Sequence, residues 1–472
     1  MPEIDLNTVA SNVIWTTFAV TVLLGIVLQK TRFCTMGAVT DLMVMGEWTR
    51  MRQWLLAIGV AMIGVGLMSY LGIIDTSKSI YTGARLSWLS TIVGGVMFGF
   101  GMVLASGCGS KTLIRIGAGN LKSLVVFLTL ALSSYMTLKG VFGVLRVNTV
   151  DSVALTLSTS QDLPSVLAAQ WGIAKNSLQL GLALVLGSAL MTFALARKDF
   201  WNFNNLLAGF GVGGAIVAIW WISGSLGYVA EDPNTLEEVF VATNSGRMES
   251  LTYVAPYAYV IEWLTFFSDT SKKITLGIIS VFGLVIGSLI YSLATKTFHW
   301  ESFRNAEDTG NHLIGGMLMG IGGVTAMGCT IGQGLTGIST LAINSFIAFA
   351  AFVVGAALAM KYLQWRLLPP PCEPVIAGNS STYHSNTGGC GMPLQIACHT
   401  DQFGTLGQIA PEDVAEIARQ GYKSIINNRP DGEGGPAQPL SAEVEVAAKA
   451  LGLNYVYLPV ISGQITLEQA QE

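Results

Sequence analysis

The chain has 472 residues, 51% of them hydrophobic and 11% charged, with a formal net charge of −4. An ordinary soluble domain is about a quarter charged, so most of this chain is excluded from that class, and the lack of any basic patch excludes nucleic acid as a partner. The six cysteines are too scattered for a disulfide framework: three end apolar segments and three cluster between Cys372 and Cys398.

In chain order, apolar stretches near the ~20 residues that cross a bilayer fall at 13–30, 53–74, 88–107, 121–145, 174–196, 203–224, 272–295, 311–328 and 340–363. The first is too long for a signal-peptide core and lacks a small-residue cleavage site, so it reads as a retained helix. About nine spans are expected, giving an all-α polytopic membrane protein. Lys30, Arg32, Arg50, Arg52, Lys111, Arg115 and Lys122 follow the first and third spans, and Arg197, Lys198, Lys296, Arg304, Lys361 and Arg366 follow the fifth, seventh and ninth. Those positions share one side, which the positive-inside rule makes cytoplasmic. The N-terminus is then periplasmic and the C-terminus cytoplasmic, in a bacterial inner membrane. Lys78, Arg85, Arg146, Lys272 and Lys273 fall on the other side, so the bias is incomplete.

Two segments align without gaps. "GGVMFGFGMVLASGCG" (Gly94–Gly109) matches "GGMLMGIGGVTAMGCT" (Gly315–Thr330), and Cys329 follows Cys108 by 221 positions. They lie in the third and eighth spans, five steps apart in order, so the copies cross in opposite directions. Inverted repeats are characteristic of transporters, with the substrate site where the halves meet.

After Trp365 the composition changes. Three units are expected: a transport domain at 1–366, a Pro- and Gly/Ser-rich linker at 367–393, and a small soluble α/β tail at 394–472. Within the tail, "APEDVAEIARQG" and "SAEVEVAAKALG" read as helices, and "YKSIINN" and "NYVYLPV" as strands.

Cys34, Cys108 and Cys329 each follow an apolar helix and stand among small residues, in "TRFCTMGAVTD", "SGCGSKT" and "MGCTIGQG". Non-helical backbone at membrane depth persists where it is buried or lines a path. Gly107, Gly109 and Gly328 give such inward-dipping loops their freedom to turn. Helix ends and free N–H groups there suit an anion. A thiol in apolar surroundings stays neutral and acts as a weak donor, so it touches a dianion without repelling it. Lys111 attracts anions from the cytoplasmic side or serves as an anchor; Gln333 orients an oxyanion or caps backbone. No CxxC or His-rich spacing suggests a metal, no base accompanies the thiols for catalysis, and no cofactor is implied. Asp41, Glu47 and Glu262 are the acids considered for proton coupling, all near span ends.

The paired Gly-Cys segments, with "RFC" after the first helix, resemble the YeeE/YedE family of thiosulfate uptake permeases over roughly residues 10–365. The resemblance implies a non-enzymatic inner-membrane importer. In it, Cys34, Cys108 and Cys329 line a central path, with Gly107, Gly109, Gly328, Lys111 and Gln333 beside them. Carriage of another sulfur or selenium compound, and a disulfide shuttle between Cys108 and Cys329, are the alternatives. The tail, from "GQIAPEDVAEIARQGYKSIINNRPDGE" to "YVYLPVISGQIT", resembles the start of phosphatase-like sulfur-transferase domains. Their Cys-x5-Arg anion loop is not reached before Glu472, so an inert, partial domain is expected. A cytoplasmic sulfur-carrier or sulfur-transferase protein is the partner this combination implies.

Overall fold

A computed structural model describes residues 5–232, 235–303, 306–367, 396–400, 403–433, 435 and 438–460. The chain divides into two compact units, Met1–Tyr362 and Leu363–Glu472. Apart from Leu367, the expected linker lies outside the described residues, as do Cys372 and Cys390.

The first helix, α1 (Leu6–Thr31), starts where Asp5 accepts hydrogen bonds from Asn7 N–H at 3.0 Å and Thr8 Oγ1 at 2.6 Å. It stops where Arg32 turns left-handed. There follow a short α2 (Thr35–Thr40) continued by a π turn to Met45, α3 (Thr49–Tyr70), α4 (Trp88–Leu104), α5 (Gly109–Gly117) and α6 (Leu121–Lys139). Two small helices follow, α7 (Val141–Asn148) and α8 (Leu163–Trp171). Next come α9 (Lys175–Leu195), α10 (Phe203–Trp221), α11 (Ala255–Thr265), α12 (Leu276–Ala294), α13 (Ala306–Thr325) and α14 (Ile343–Leu367). A further helical piece, 330–339, includes a π stretch at Gly332–Gly337. Two-residue ladders join β1 (Arg85–Leu86) to β2 (Leu155–Thr156), and β3 (Tyr228–Val229) to β4 (Val239–Phe240).

Among the described residues, eight helical segments are long and apolar enough to cross a membrane. The remaining expected span, 311–328, forms as α13, a 20-residue helix. Its polar first turns and its glycines lower its hydropathy. It earns its place by packing rather than by greasiness.

The repeat is present bond by bond. Helix α4 ends with Ala105 N–H on Gly101 O (2.9 Å), Ser106 N–H on Val103 O (3.1 Å) and Gly107 N–H on Met102 O (2.8 Å). Helix α13 ends with Ala326 on Gly322 (2.8 Å), Met327 on Val324 (3.0 Å) and Gly328 on Gly323 (2.8 Å), each shifted by the same 221 positions. Ser106 and Met327, at φ 56° and 59°, both take the left-handed conformation of a Schellman-type stop.

The two repeat helices cross antiparallel through glycines. A Cβ on Gly94 would lie 2.6 Å from Gly322 O, and one on Gly315 would lie 2.7 Å from Gly101 O. These contacts exchange under the repeat. Small residues let backbones meet this closely in a bilayer, where lipid removes any hydrophobic gain from helix association. Around this crossing, α1 packs on α12 as α10 packs on α3, and α9 covers α3 from outside the repeat.

The tail contains a parallel pair, β7 (Ser424–Asn427) and β8 (Asn454–Tyr457), linked through α16 (Ser441–Ala450). With α15 (Val414–Arg419), these elements enclose Val414, Ile417, Ile425, Val444, Ala448 and Leu453. Gly421, at φ 91°, stops the first tail helix as its sequence suggests. An antiparallel hairpin, β5 (Ala397–Thr400) with β6 (Phe403–Thr405), precedes them, with Cys398 in its first strand.

Candidate functional site: a line of thiols between helix ends

Each of the three cysteines stands immediately before a short helix. Cys34 precedes α2 and accepts the Gly37 N–H at 3.5 Å. Cys329 precedes the 330–339 helix and accepts the N–H groups of Gly332 and Tyr253, both at 3.4 Å. Cys108 precedes α5, with Ser110 Oγ 3.4 Å from its sulfur. A fourth short helix, α11, begins after Val254, the counterpart of Cys34 in the second half.

These ends converge. The Cys34 and Cys108 side chains lie beside one another, and Cys108 also lies against Thr330. Gly109 abuts the Tyr253 carbonyl, where a Cβ would come within 3.0 Å, and Tyr257 Oη donates to Gly109 O at 2.5 Å. Four helix N-termini therefore meet at a common centre, which gathers the positive ends of their dipoles. All three thiols are free and buried. Several hydroxyls around them lack hydrogen-bond partners although buried: Thr35 Oγ1, Thr330 Oγ1, Tyr81 Oη and Tyr253 Oη. Unpaired buried hydroxyls are costly in a finished fold and suit a ligand that supplies acceptors.

Access differs on the two flanks. Beside Cys329 and Gly328 opens a cavity of about 220 Å³, with Glu249, Thr252, Tyr259, Ser280 and Met327 in its lining. Burial pushes the Glu249 carboxyl up to about 7, against hydrogen bonds from Asn244 N–H and Ser245 Oγ, and pushes the Tyr259 hydroxyl up to about 12. Beside Cys108 the flank is cationic. Lys111 is half-buried and, among the described residues, no carboxylate lies within ion-pair distance of it. Arg50 pairs with Asp41 at 3.3 Å and covers Gly37; Arg115 donates to Ser106 O at 3.0 Å, holding the α4 stop.

Over residues 30–358 the chain matches the sulphur transport family. It belongs to that family. A thiosulfate transporter, TsuA, of Spirochaeta thermophila is 28% identical over 72% of this chain and 96% of its own length. The protein of the same name in Escherichia coli is 26% identical over 71% of this chain and 90% of its own. Residues 395–471 match the phosphatase-like domain of beta-lactamase hydrolase-like protein. Such a protein in Xylella fastidiosa is 40% identical over 16% of this chain, which spans only 17% of that relative.

Within this member of the sulphur transport family, the sequence-selected residues divide by role. Cys34, Cys108, Cys329, Gly109 and Lys111 meet at or beside the centre. Gly107 and Gly328 close the two helix stops, and Gly328 has φ 157°. Gln333 is committed to the fold: its Nε2 donates to Ala326 O at 2.8 Å and its Oε1 accepts from Ser345 at 2.5 Å. It braces the second loop in the way its capping alternative describes. The disulfide alternative pairs Cys108 with Cys329; Cys108 also lies beside Cys34. Of the acids considered for coupling, Glu262 is neutralised by Lys139 at 2.7 Å and Lys272 at 2.6 Å, Asp41 is held by Arg50, and Glu47 is exposed. Thr330 was within reach of sequence reasoning, since it is the repeat mate of Gly109. Tyr81, Thr252, Tyr253 and Glu249 arrive from polar connections, where periodicity carries no signal.

Proposed function

We propose that this chain imports thiosulfate across a bacterial inner membrane along the line Cys329, Cys108, Cys34. The observation that carries this reading is the convergence of four helix N-termini on three buried thiols. Thiosulfate is a dianion with a soft terminal sulfur and three hard oxygens. Amide N–H groups and helix dipoles offset its charge, and neutral thiols offer weak donors that hold without trapping. Conduction needs that balance, because a site that binds too well does not release. The ion enters through the cavity beside Gly328, passes the thiols, and leaves toward Lys111 and the Arg50–Arg115 flank. With Lys111 on the cytoplasmic side, the N-terminus is periplasmic and the C-terminus cytoplasmic. The relatives named thiosulfate transporters support the choice of ion.

The transport unit acts without the tail, whose match to a phosphatase-like domain marks a cytoplasmic sulfur-transferase or sulfur-carrier partner. Radiolabelled thiosulfate uptake into proteoliposomes tests the reading. Cys108→Ala and Cys329→Ala should each reduce uptake to background while leaving protein in the membrane, and Cys108→Ser should restore part of it by keeping a donor. Undiminished uptake in both alanine variants sinks the thiol path. Dithiol–disulfide interconversion during turnover, read by thiol alkylation, would instead favour the redox alternative between Cys108 and Cys329.

A further inference from the structure

The two halves treat the positions three residues after their repeat cysteines differently. In the first half that residue is Lys111; its mate in the second half is Gly332. The space that a side chain at Gly332 would fill is taken by hydroxyls. A Cβ there would lie 2.5 Å from Thr252 Oγ1 and 3.3 Å from Tyr81 Oη. Thr252 Oγ1 stands 4.0 Å from Cys329 Sγ and also lines the cavity of about 220 Å³.

Tyr81 is fixed everywhere except at its oxygen. Its N–H donates to Ser79 Oγ at 3.1 Å, and its carbonyl accepts from Gln161 Nε2 at 2.9 Å. Its ring meets Trp220 edge-on at 6.3 Å, and Trp220 is itself tied to Ser339 at 3.1 Å. Tyr81 is 3% exposed, yet its hydroxyl lies against Thr252 without a hydrogen bond of good geometry. A rigid ring that presents one unspent donor beside Thr252, which itself lines the cavity, is organised for a ligand.

We propose that Tyr81 and Thr252 are substrate-binding residues which, with Cys329, form an uncharged outer station of the path. Their hydroxyls hold the oxygen end of a small sulfur oxyanion while the thiol faces its terminal sulfur. This rests on the thiosulfate reading above and extends it to the residues that orient the ion. Two kinds of donor, one facing hard oxygen and one facing soft sulfur, distinguish thiosulfate from sulfate, which presents oxygen alone.

The test uses the full chain in proteoliposomes with radiolabelled thiosulfate, together with thermal melting of the purified protein. Tyr81→Phe removes one oxygen and keeps the ring against Trp220. The half-saturation concentration should rise roughly three- to tenfold, the loss of one hydrogen bond to a ligand, with the maximal rate within about twofold. Melting should be unchanged or higher, because the deleted hydroxyl has no protein partner. Thr252→Ala should weaken uptake in the same direction. An unchanged half-saturation in Tyr81→Phe overturns the inference while the thiosulfate reading stands. So does a lowered melting temperature in that variant, which would mean that the hydroxyl serves the fold. Failure of the wild-type chain to take up thiosulfate overturns both.

Discussion

Glu249 is a carboxylate that the fold holds in a poor place for charge. Its carboxyl rises from 4.5 to about 7 because burial outweighs the hydrogen bonds from Asn244 and Ser245. Between those values the folded chain keeps a proton that the unfolded chain has already released. Stability is therefore fully present below about pH 4.5 and falls as pH rises toward 7, by an amount on the order of 3 kcal/mol. Glu249→Gln keeps the shape and removes the titration, so its melting temperature should change less between pH 5 and pH 8 than that of the wild type. An equal drop in both would show that this carboxyl is not under strain. The same residue explains a gap in sequence reasoning. Asp41, Glu47 and Glu262 attract attention by standing near span ends, yet two of them are paired with cations. Glu249 comes from a polar connection whose burial is created only when distant helices close around it.

At the scale of elements, the crossing of α4 with α13 was readable because it is written twice. Glycine spacing and a shared cysteine, 221 positions apart, announced the loops and their opposite directions. The short helices α2 and α11 were not readable, since pieces of 6 and 11 residues are set by tertiary contacts rather than by periodicity. Yet they supply two of the four helix ends at the centre. The crossing also makes a prediction about packing. A methyl group at Gly322 would lie 2.6 Å from both Gly94 O and Phe98 N, atoms that cannot yield without moving a helix. Gly322→Ala should therefore lower stability by about 1–3 kcal/mol, the usual cost of overpacking. Gly214→Ala, with nothing within 4 Å of its new methyl, serves as the control and should melt no lower than the wild type. Matching melting temperatures for the two variants in detergent would refute the close approach.

For the whole molecule, the division near Tyr362 separates a unit matching the sulphur transport family from a tail matching a different one. The sequence marked that change by its Pro run and by a switch from apolar stretches to the β7–α16–β8 pattern, both local signals. The hairpin β5–β6 escaped it, because strands of 4 and 3 residues carry too little alternation to stand out. A chain ending after residue 366 should take up thiosulfate with the half-saturation of the full chain. A several-fold rise would instead make the tail part of the transport unit.

The four converging helix ends have a consequence for how conduction can be controlled. On the proposed path, the groups between Cys329 and Cys108 are amides, hydroxyls and thiols. Backbone dipoles are permanent: acid does not neutralise them, and at the water-poor centre of the bundle dissolved salt screens them little. A constriction made this way cannot be closed by chemistry at the ion's own position. On the proposed path, control over flow falls to the approaches, where Glu249 and Lys111 carry titratable charge.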